Sequence, residues 1–365
     1  MSSNESRRAL EEKSRRPLRP LTVVVIAVLL LVPPLLLIIT YAKRKPPRQV
    51  AVSGPSAGAE PPSFRRTADA SEPSFGGMKE PRGAAVDSLG RLWVADFGNS
   101  RLRLFDSTGG YLGGWGGPGN GTYGFHDPCA VAIRGEDLYV ADTWNGRIQS
   151  FTISGQWKAT IAGLSAPRGI ATAGDGTVWV SDTGNHRVIA YDALLRNPRE
   201  FGKKGSGPGE FAFPIGITVD ASGRVFIADT GNHRVVRLGP DGRFQTAWPV
   251  PGWERPGDAF LAADVDGSLY VTDPGQAEEL LKFDPTGGVV ERRSTDDNGN
   301  RFSLPTGLAL DPTKRVLYVV SSGTNAVSAI RLPERPSDER KVRRDGGRSR
   351  RSSQRPQRPA GATDR

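Results

Sequence analysis

The stretch Val178-Trp-Val-Ser-Asp-Thr-Gly-Asn-His-Arg-Val188 recurs almost unchanged as Val225-Phe-Ile-Ala-Asp-Thr-Gly-Asn-His-Arg-Val235. Looser copies occupy residues 92–102 and 138–148, and two eroded ones survive as Leu269-Tyr-Val-Thr-Asp273 and Leu317-Tyr-Val-Val-Ser321. The aspartates or their equivalents fall at positions 96, 142, 182, 229, 273 and 321, giving intervals of 46, 40, 47, 44 and 48 residues. A repeat of this size cannot bury its apolar face alone, and its length suits one four-stranded blade of a β-propeller. Six copies therefore predict an all-β ring of six blades.

The physics of a blade is readable inside each copy. A Pro-x-Gly signal opens a strand of small and apolar residues at 81–86, 167–171, 214–219 and 305–310, which suits a crowded innermost position. A turn such as Asp220-Ala-Ser-Gly223 reverses the chain into an alternating aromatic and aliphatic strand that packs one sheet on the next. The Asp-Thr-Gly-Asn element supplies the second turn, with Gly and Asn able to adopt positive φ and Asp able to accept turn N–H groups. A third strand ends in Phe or Tyr (101–105, 187–191), and a fourth runs over 111–115. The last copy stops near Leu332, one strand short, so residues 63–68 are expected to pair as the outermost strand of the last blade.

These elements resemble the NHL-repeat family over about residues 75–332. Asn185-His186-Arg187 and Asn232-His233-Arg234 match its signature fully, whereas Asn99-Ser100-Arg101 and Asn145-Gly146-Arg147 lack the histidine. A feature repeated around a ring is first a feature of the scaffold. Asp96, Asn99, Arg101, Asp142, Asn145, Arg147, Asp182, Asn185, Arg187, Asp229, Asn232 and Arg234 are accordingly expected to be structural. The resemblance implies three function classes: a binding or scaffold module, a metal-dependent lyase or hydrolase, and an RNA-binding module.

Four antiparallel strands place the start of each first strand, the turn between strands two and three, and the interblade loop on one face. That face should gather Arg82, Arg168, Cys129, Phe97, Trp144, His186, His233 and the Gly-rich loops 116–125 and 202–213. Aromatic and Arg side chains are enriched at interaction hot spots. Arg82, Phe97, Trp144, Arg168, His186 and His233 are therefore the candidate binding residues for a protein, peptide or glycan.

No catalytic residue, metal or cofactor is expected. Zinc catalysis needs three protein ligands and an open position. The chain has only His126, His186 and His233, two of them inside the repeat motif. Its one cysteine, Cys129, rules out an intramolecular disulfide and a multi-thiolate site. No Gly-x-Ser-x-Gly elbow is present, and 203–209 (KKGSGPG) has the wrong order for a phosphate-binding P-loop. The oxygen-rich segment 295–300 lacks the distal Glu of an EF-hand and reads as a polar turn.

The net charge of +10 lies in the ends of the chain: residues 75–333 carry 26 Lys and Arg against 28 Asp and Glu. A near-neutral ring argues against nucleic-acid binding, which relies on clustered positive charge. After a short basic tail (1–20), residues 21–41 form an uncharged run of 21 residues, enough at about 1.5 Å per residue to cross a hydrocarbon core of about 30 Å. A single transmembrane helix, kinked at Pro33-Pro34, is expected to anchor the chain in a lipid bilayer. The surplus of Lys and Arg before the helix points to a propeller on the extracytoplasmic side. Residues 42–62 read as a flexible stalk, 63–333 as the propeller, and 334–365 as a disordered Arg-rich tail suited to an anionic polymer or lipid.

Overall fold

The computed structural model describes residues 75–253 and 257–334. The segments 1–74, including the expected anchor, stalk and closing strand, and 335–365 lie outside the described residues. Among those described, no helix is long and apolar enough to cross a membrane.

Six antiparallel sheets follow one another along the chain, each meandering outward from the axis. Blade 1 consists of Ala84–Val86, Leu92–Asp96, Arg101–Phe105 and Tyr111–Trp115. Blades 2 to 4 open with Pro128–Arg134, Gly169–Thr172 and Pro214–Val219, and blades 5 and 6 with Leu261–Ala263 and Pro305–Asp311. Blade 6 has three strands among the described residues, ending with Ala326–Arg331.

Every second strand is buried on both faces, as in Leu92–Asp96, Val178–Asp182 and Val225–Asp229. Alternation sends successive side chains to opposite neighbours. Trp93 and Ala95 pack with Val131, Leu138 and Val140 of blade 2, whereas Leu92 and Val94 pack with Tyr318 and Val320 of blade 6. Equivalent cores fill the other junctions, so the last blade closes on the first. Phe75 joins that closing junction, with its ring centroid 5.5 Å from Phe105 and 6.0 Å from Tyr318.

The glycines after the opening prolines have a steric cause. A Cβ at Gly169 would lie 2.0 Å from the Ile215 carbonyl oxygen, and one at Gly307 would lie 2.2 Å from that of Arg82. Blades can approach this closely only where the side chain is absent. At Gly83 the space is shared with Phe260 of blade 5, whose ring would lie 3.1 Å from a Cβ. Phe260 packs with Cys129, Ala130, Ile170 and Ile215 and fills the axis at this layer. Beyond it, toward the opposite face, the inner strands line an axial cavity of about 270 Å³ that includes Val86, Ile133, Val219 and Leu310.

Candidate functional site

In blades 1 to 4 the repeated aspartate is the hub of the loop-face turn. Asp229 Oδ1 accepts the Ala212 N–H at 2.6 Å, and its Oδ2 accepts Asn232 Nδ2 and Arg234 Nε, both at 2.8 Å. Asp182 repeats this with Ser165, Asn185 and Arg187, and Asp142 with His126, Asn145 and Arg147. Asp96 does so with Lys79, Asn99 and Arg101. The arginines reach further, into the Gly-rich loops. Arg147 donates to the carbonyls of Asn120, Gly121 and Gly124, and Arg234 to those of Ser206, Gly207 and Glu210. A guanidinium supplies several donors in fixed geometry, so one residue orders a whole loop.

The turn itself differs from the sequence reading. Residues Thr183–Asn185 and Thr230–Asn232 form single 3₁₀ turns, and the left-handed conformation falls on the next residue: Ser100 (φ 51°), His186 (55°) and His233 (56°). Its side chain can then reach the next blade. His186 Nδ1 accepts the Phe213 N–H at 3.0 Å, with the two rings 4.4 Å apart. Glu278 latches Leu304 at 3.0 Å and Asn325 latches Glu80 at 2.7 Å in the same way. Burial, reinforced by the Lys204 charge, lowers the His186 pKa and keeps the ring a neutral acceptor. Among the candidates, His186 thus carries an interblade contact. The backbone carbonyl of His233 accepts the Val250 N–H at 3.0 Å.

Blade 5 breaks the pattern. Asp273 Oδ1 accepts only the Gly275 N–H, at 2.9 Å, and its buried Oδ2 has no hydrogen-bond partner among the described residues. Burial raises its carboxyl, and the nearby Glu279 adds to the rise.

At the centre of the loop face, Arg82 of blade 1 and Arg168 of blade 3 converge on Asp258 at the start of blade 5. Arg168 Nη1 donates to Asp258 Oδ1, and Arg82 Nε lies 3.4 Å from Oδ2, an ion pair without hydrogen-bond alignment. The three side chains are 17, 17 and 14% exposed. Burial alone would raise the Asp258 carboxyl, but Arg168 and Arg82 outweigh it and hold it below its usual range. Arg82 also donates to Ser322 Oγ at 3.2 Å, and its guanidinium carbon sits 4.9 Å from the centroid of the Phe97 ring. Cys129 lies beneath this group. Burial, with the Asp258 charge next, pushes its thiol up to about 12, so it stays neutral.

The structure therefore brings Arg82, Arg168 and Phe97 together. It places Trp144, half-buried with its backbone N–H on the His126 carbonyl, at the turn of blade 2. Sequence reading missed Asp258 and Phe260. Asp258 stands fifteen residues before Asp273, where Pro81, Pro167 and Pro214 precede their own aspartates by the same interval. That offset was the available signal.

Among the described residues no group of three or more His, Cys, Asp or Glu side chains could hold a metal ion. In the 295–300 segment, Asp296 is occupied by the N–H groups of Asn298 and Asn300 and by the Asn300 amide, all at 2.9 Å, as a polar turn requires.

Residues 78–105 match the NHL repeat model, and residues 154–275 match the SMP-30/Gluconolactonase/LRE-like region. NHL repeat-containing protein 3 of Homo sapiens is 38% identical over 61 residues, and so is its Mus musculus counterpart. That match spans 16% of this chain and 16% of each relative. Among solved structures, a gluconolactonase from Xanthomonas campestris has a TM-score of 0.56 at 15% identity, covering 78% of this chain and all of that one. A chain of the Nidogen/Laminin complex has a TM-score of 0.51 at 19% identity, covering 63% of this chain and 84% of that one. At these identities the structural likeness speaks for the fold alone. Taken with the Asp-x-x-Asn-x-Arg hubs, these matches show a closed six-bladed β-propeller that carries an NHL repeat at residues 78–105 and is similar there to NHL repeat-containing proteins.

Proposed function

We propose that the ring is a binding module, tethered to a bilayer by residues 21–41 and presenting its loop face to a protein, peptide or glycan. One observation carries this reading. The Arg82–Asp258–Arg168 cluster with Phe97 is not something the ring repeats. Cys129, Ile215 and Thr306 hold the positions of Arg82 and Arg168 in blades 2, 4 and 6, so closure alone does not call for charge there. Partly exposed arginines beside an aromatic ring, at the centre of a rim of loops, make a recognition surface.

The match of residues 154–275 to the SMP-30/Gluconolactonase/LRE-like region supports a second reading, a metal-dependent hydrolase acting at the same mouth. Two guanidinium groups flanking Asp258, the one carboxylate among the described residues that both of them pair with, oppose a divalent cation there, so the residues present do not fit a metal and the binding reading is preferred. The near balance of charge in residues 75–333 likewise disfavours RNA.

A photo-crosslinking side chain placed in turn at Phe97 and Trp144 of the full-length chain tests the reading. Leu89 and Val265, exposed in first-turn positions on the opposite face, serve as controls. A discrete adduct from the first pair and none from the second is expected; adducts from the controls alone would refute it. Protease shaving of intact cells tests the tether and its orientation, with loss of the ring expected from outside.

A further inference from the structure

Resting on the binding reading, we propose that Arg82 and Arg168 form a seat for a carboxylate of an acidic peptide, with Asp258 already occupying half of it. The charge count comes first. Two partly exposed guanidinium groups face one partly exposed carboxylate, and the thiol of Cys129 adds no charge. The remaining acid among the described residues is Glu80, whose side chain is 55% exposed and reaches Arg82 Nη2 only at 4.0 Å. The group thus has one anion at close range and a second at the margin, drawn from the solvent side.

Geometry supports the same reading. Arg82 Nε is buried and has an ion pair but no hydrogen bond. Arginine recognises carboxylates through parallel N–H donors, and such charge-assisted contacts are roughly twice as strong as neutral ones. Below the seat, Phe260 closes the axis, so a ligand approaches from the loop face and cannot thread the ring.

The choice of peptide over an acidic glycan follows from Phe97. Sugar recognition uses the open face of an aromatic ring, whereas Arg82 already covers this one at 4.9 Å. What the cluster offers outward is cationic donors rather than a stacking platform.

The test measures binding of tetra-glutamate, tetra-glutamine and hexagalacturonate to the full-length chain by calorimetry, with Arg168→Lys, Arg82→Lys and Asp258→Asn alongside. Tetra-glutamate alone should bind. Either lysine variant, which keeps the charge but loses the planar fork, should weaken it by about tenfold or more. Asp258→Asn, which removes the in-chain competitor, should tighten it by about tenfold and make its melting temperature rise with added peptide. If Asp258→Asn does not fold, the two lysine variants still decide. Equal binding of tetra-glutamate and tetra-glutamine, unchanged affinity in both lysine variants, or binding of hexagalacturonate alone would each overturn the proposal. A crosslinked partner at Phe97 with tetra-glutamate silent would overturn it too, while leaving the binding reading intact.

Discussion

The same substitution at two equivalent positions should have very different consequences. In Asp229→Asn, Oδ2 becomes an amide donor facing two donors, Asn232 Nδ2 and Arg234 Nε, each now 2.8 Å from an acceptor. Breaking a largely buried ion pair from one side costs about 3–5 kcal/mol. Arg234 is 17% exposed and keeps its contacts to loop carbonyls, which points to the lower end, about 3 kcal/mol. Burial raises the Asp229 carboxyl despite its donors. That sets the cost of charging the group, whereas the substitution also strands its partners. For a ring of this size, about 2–4 °C per kcal/mol gives a fall in Tm of about 6–12 °C.

In Asp273→Asn no donor is stranded beyond the single Gly275 N–H, which the amide oxygen still accepts, so the change should be within about 1 kcal/mol. Its pH dependence has a definite sign. A carboxyl raised above 3.8 in the folded ring is penalised while charged, and the penalty fades as pH falls through the raised value toward 3.8. Relative to wild type, Asp273→Asn should therefore fare best at neutral pH and lose that advantage on acidification. Thermal melts and urea midpoints of the full-length chain measure both. Equal losses in the two variants, or Asp229→Asn indistinguishable from wild type, would refute the hub reasoning.

Three further outcomes follow from named contacts. The His186 pKa is depressed, so its contribution to stability is present above 6.5 and lost as pH falls through the lower folded value; His186→Asn, which keeps an acceptor, should flatten that part of the Tm–pH curve. Gly169→Ala, with its Cβ 2.0 Å from the Ile215 carbonyl, should destabilise by about 2 kcal/mol or more, while Gly174→Ala, with no atom within 4 Å of its Cβ, should be neutral in the same denaturant titration. Cys129, buried and pushed up to about 12, should resist a thiol-specific colorimetric reagent until the ring unfolds, and immediate reaction in buffer would contradict its placement.

Strands and blade count were legible because both are written locally. Arg101–Phe105, Arg187–Tyr191 and Tyr111–Trp115 coincide with their sequence-based expectations, since period-two burial leaves a mark in every copy. Positive φ falls one residue beyond the Gly and Asn able to adopt it, for a physical reason. Gly184 and Asn185 tolerate that conformation, but Ser100, Gly146, His186 and His233 adopt it because their N–H groups close the turn, and at His186 the side chain is then aimed at Phe213 of the next blade. A partner 27 residues away leaves no trace in local propensity. The pairing of Asp258 was missed for the same reason, because it meets Arg168 across 90 residues and Arg82 across the axis, and only its offset from Asp273 marked the position.

The two residues that escaped local reading also explain each other. At the Pro-x-Gly openings the neighbouring inner strand fills the space a side chain would take, as at Gly169, Gly216 and Gly307. Blade 5 has no such glycine, and the Phe260 ring reaches Gly83 of blade 1, where it would lie 3.1 Å from a Cβ, and packs with Cys129, Ile170 and Ile215. Asp258, two residues earlier, is thereby fixed above an apolar plug, where the low dielectric strengthens its pairing with Arg82 and Arg168 and makes an unmatched guanidinium costly. Removing the plug with Phe260→Ala should therefore act at a distance from its own contacts. Water admitted beneath the cluster would screen it, so Cys129 should become reactive and tetra-glutamate should bind less tightly even though neither arginine has been touched. A variant that exposes Cys129 yet leaves peptide affinity unchanged would show that the arginines work as surface charges, independent of the plug below them.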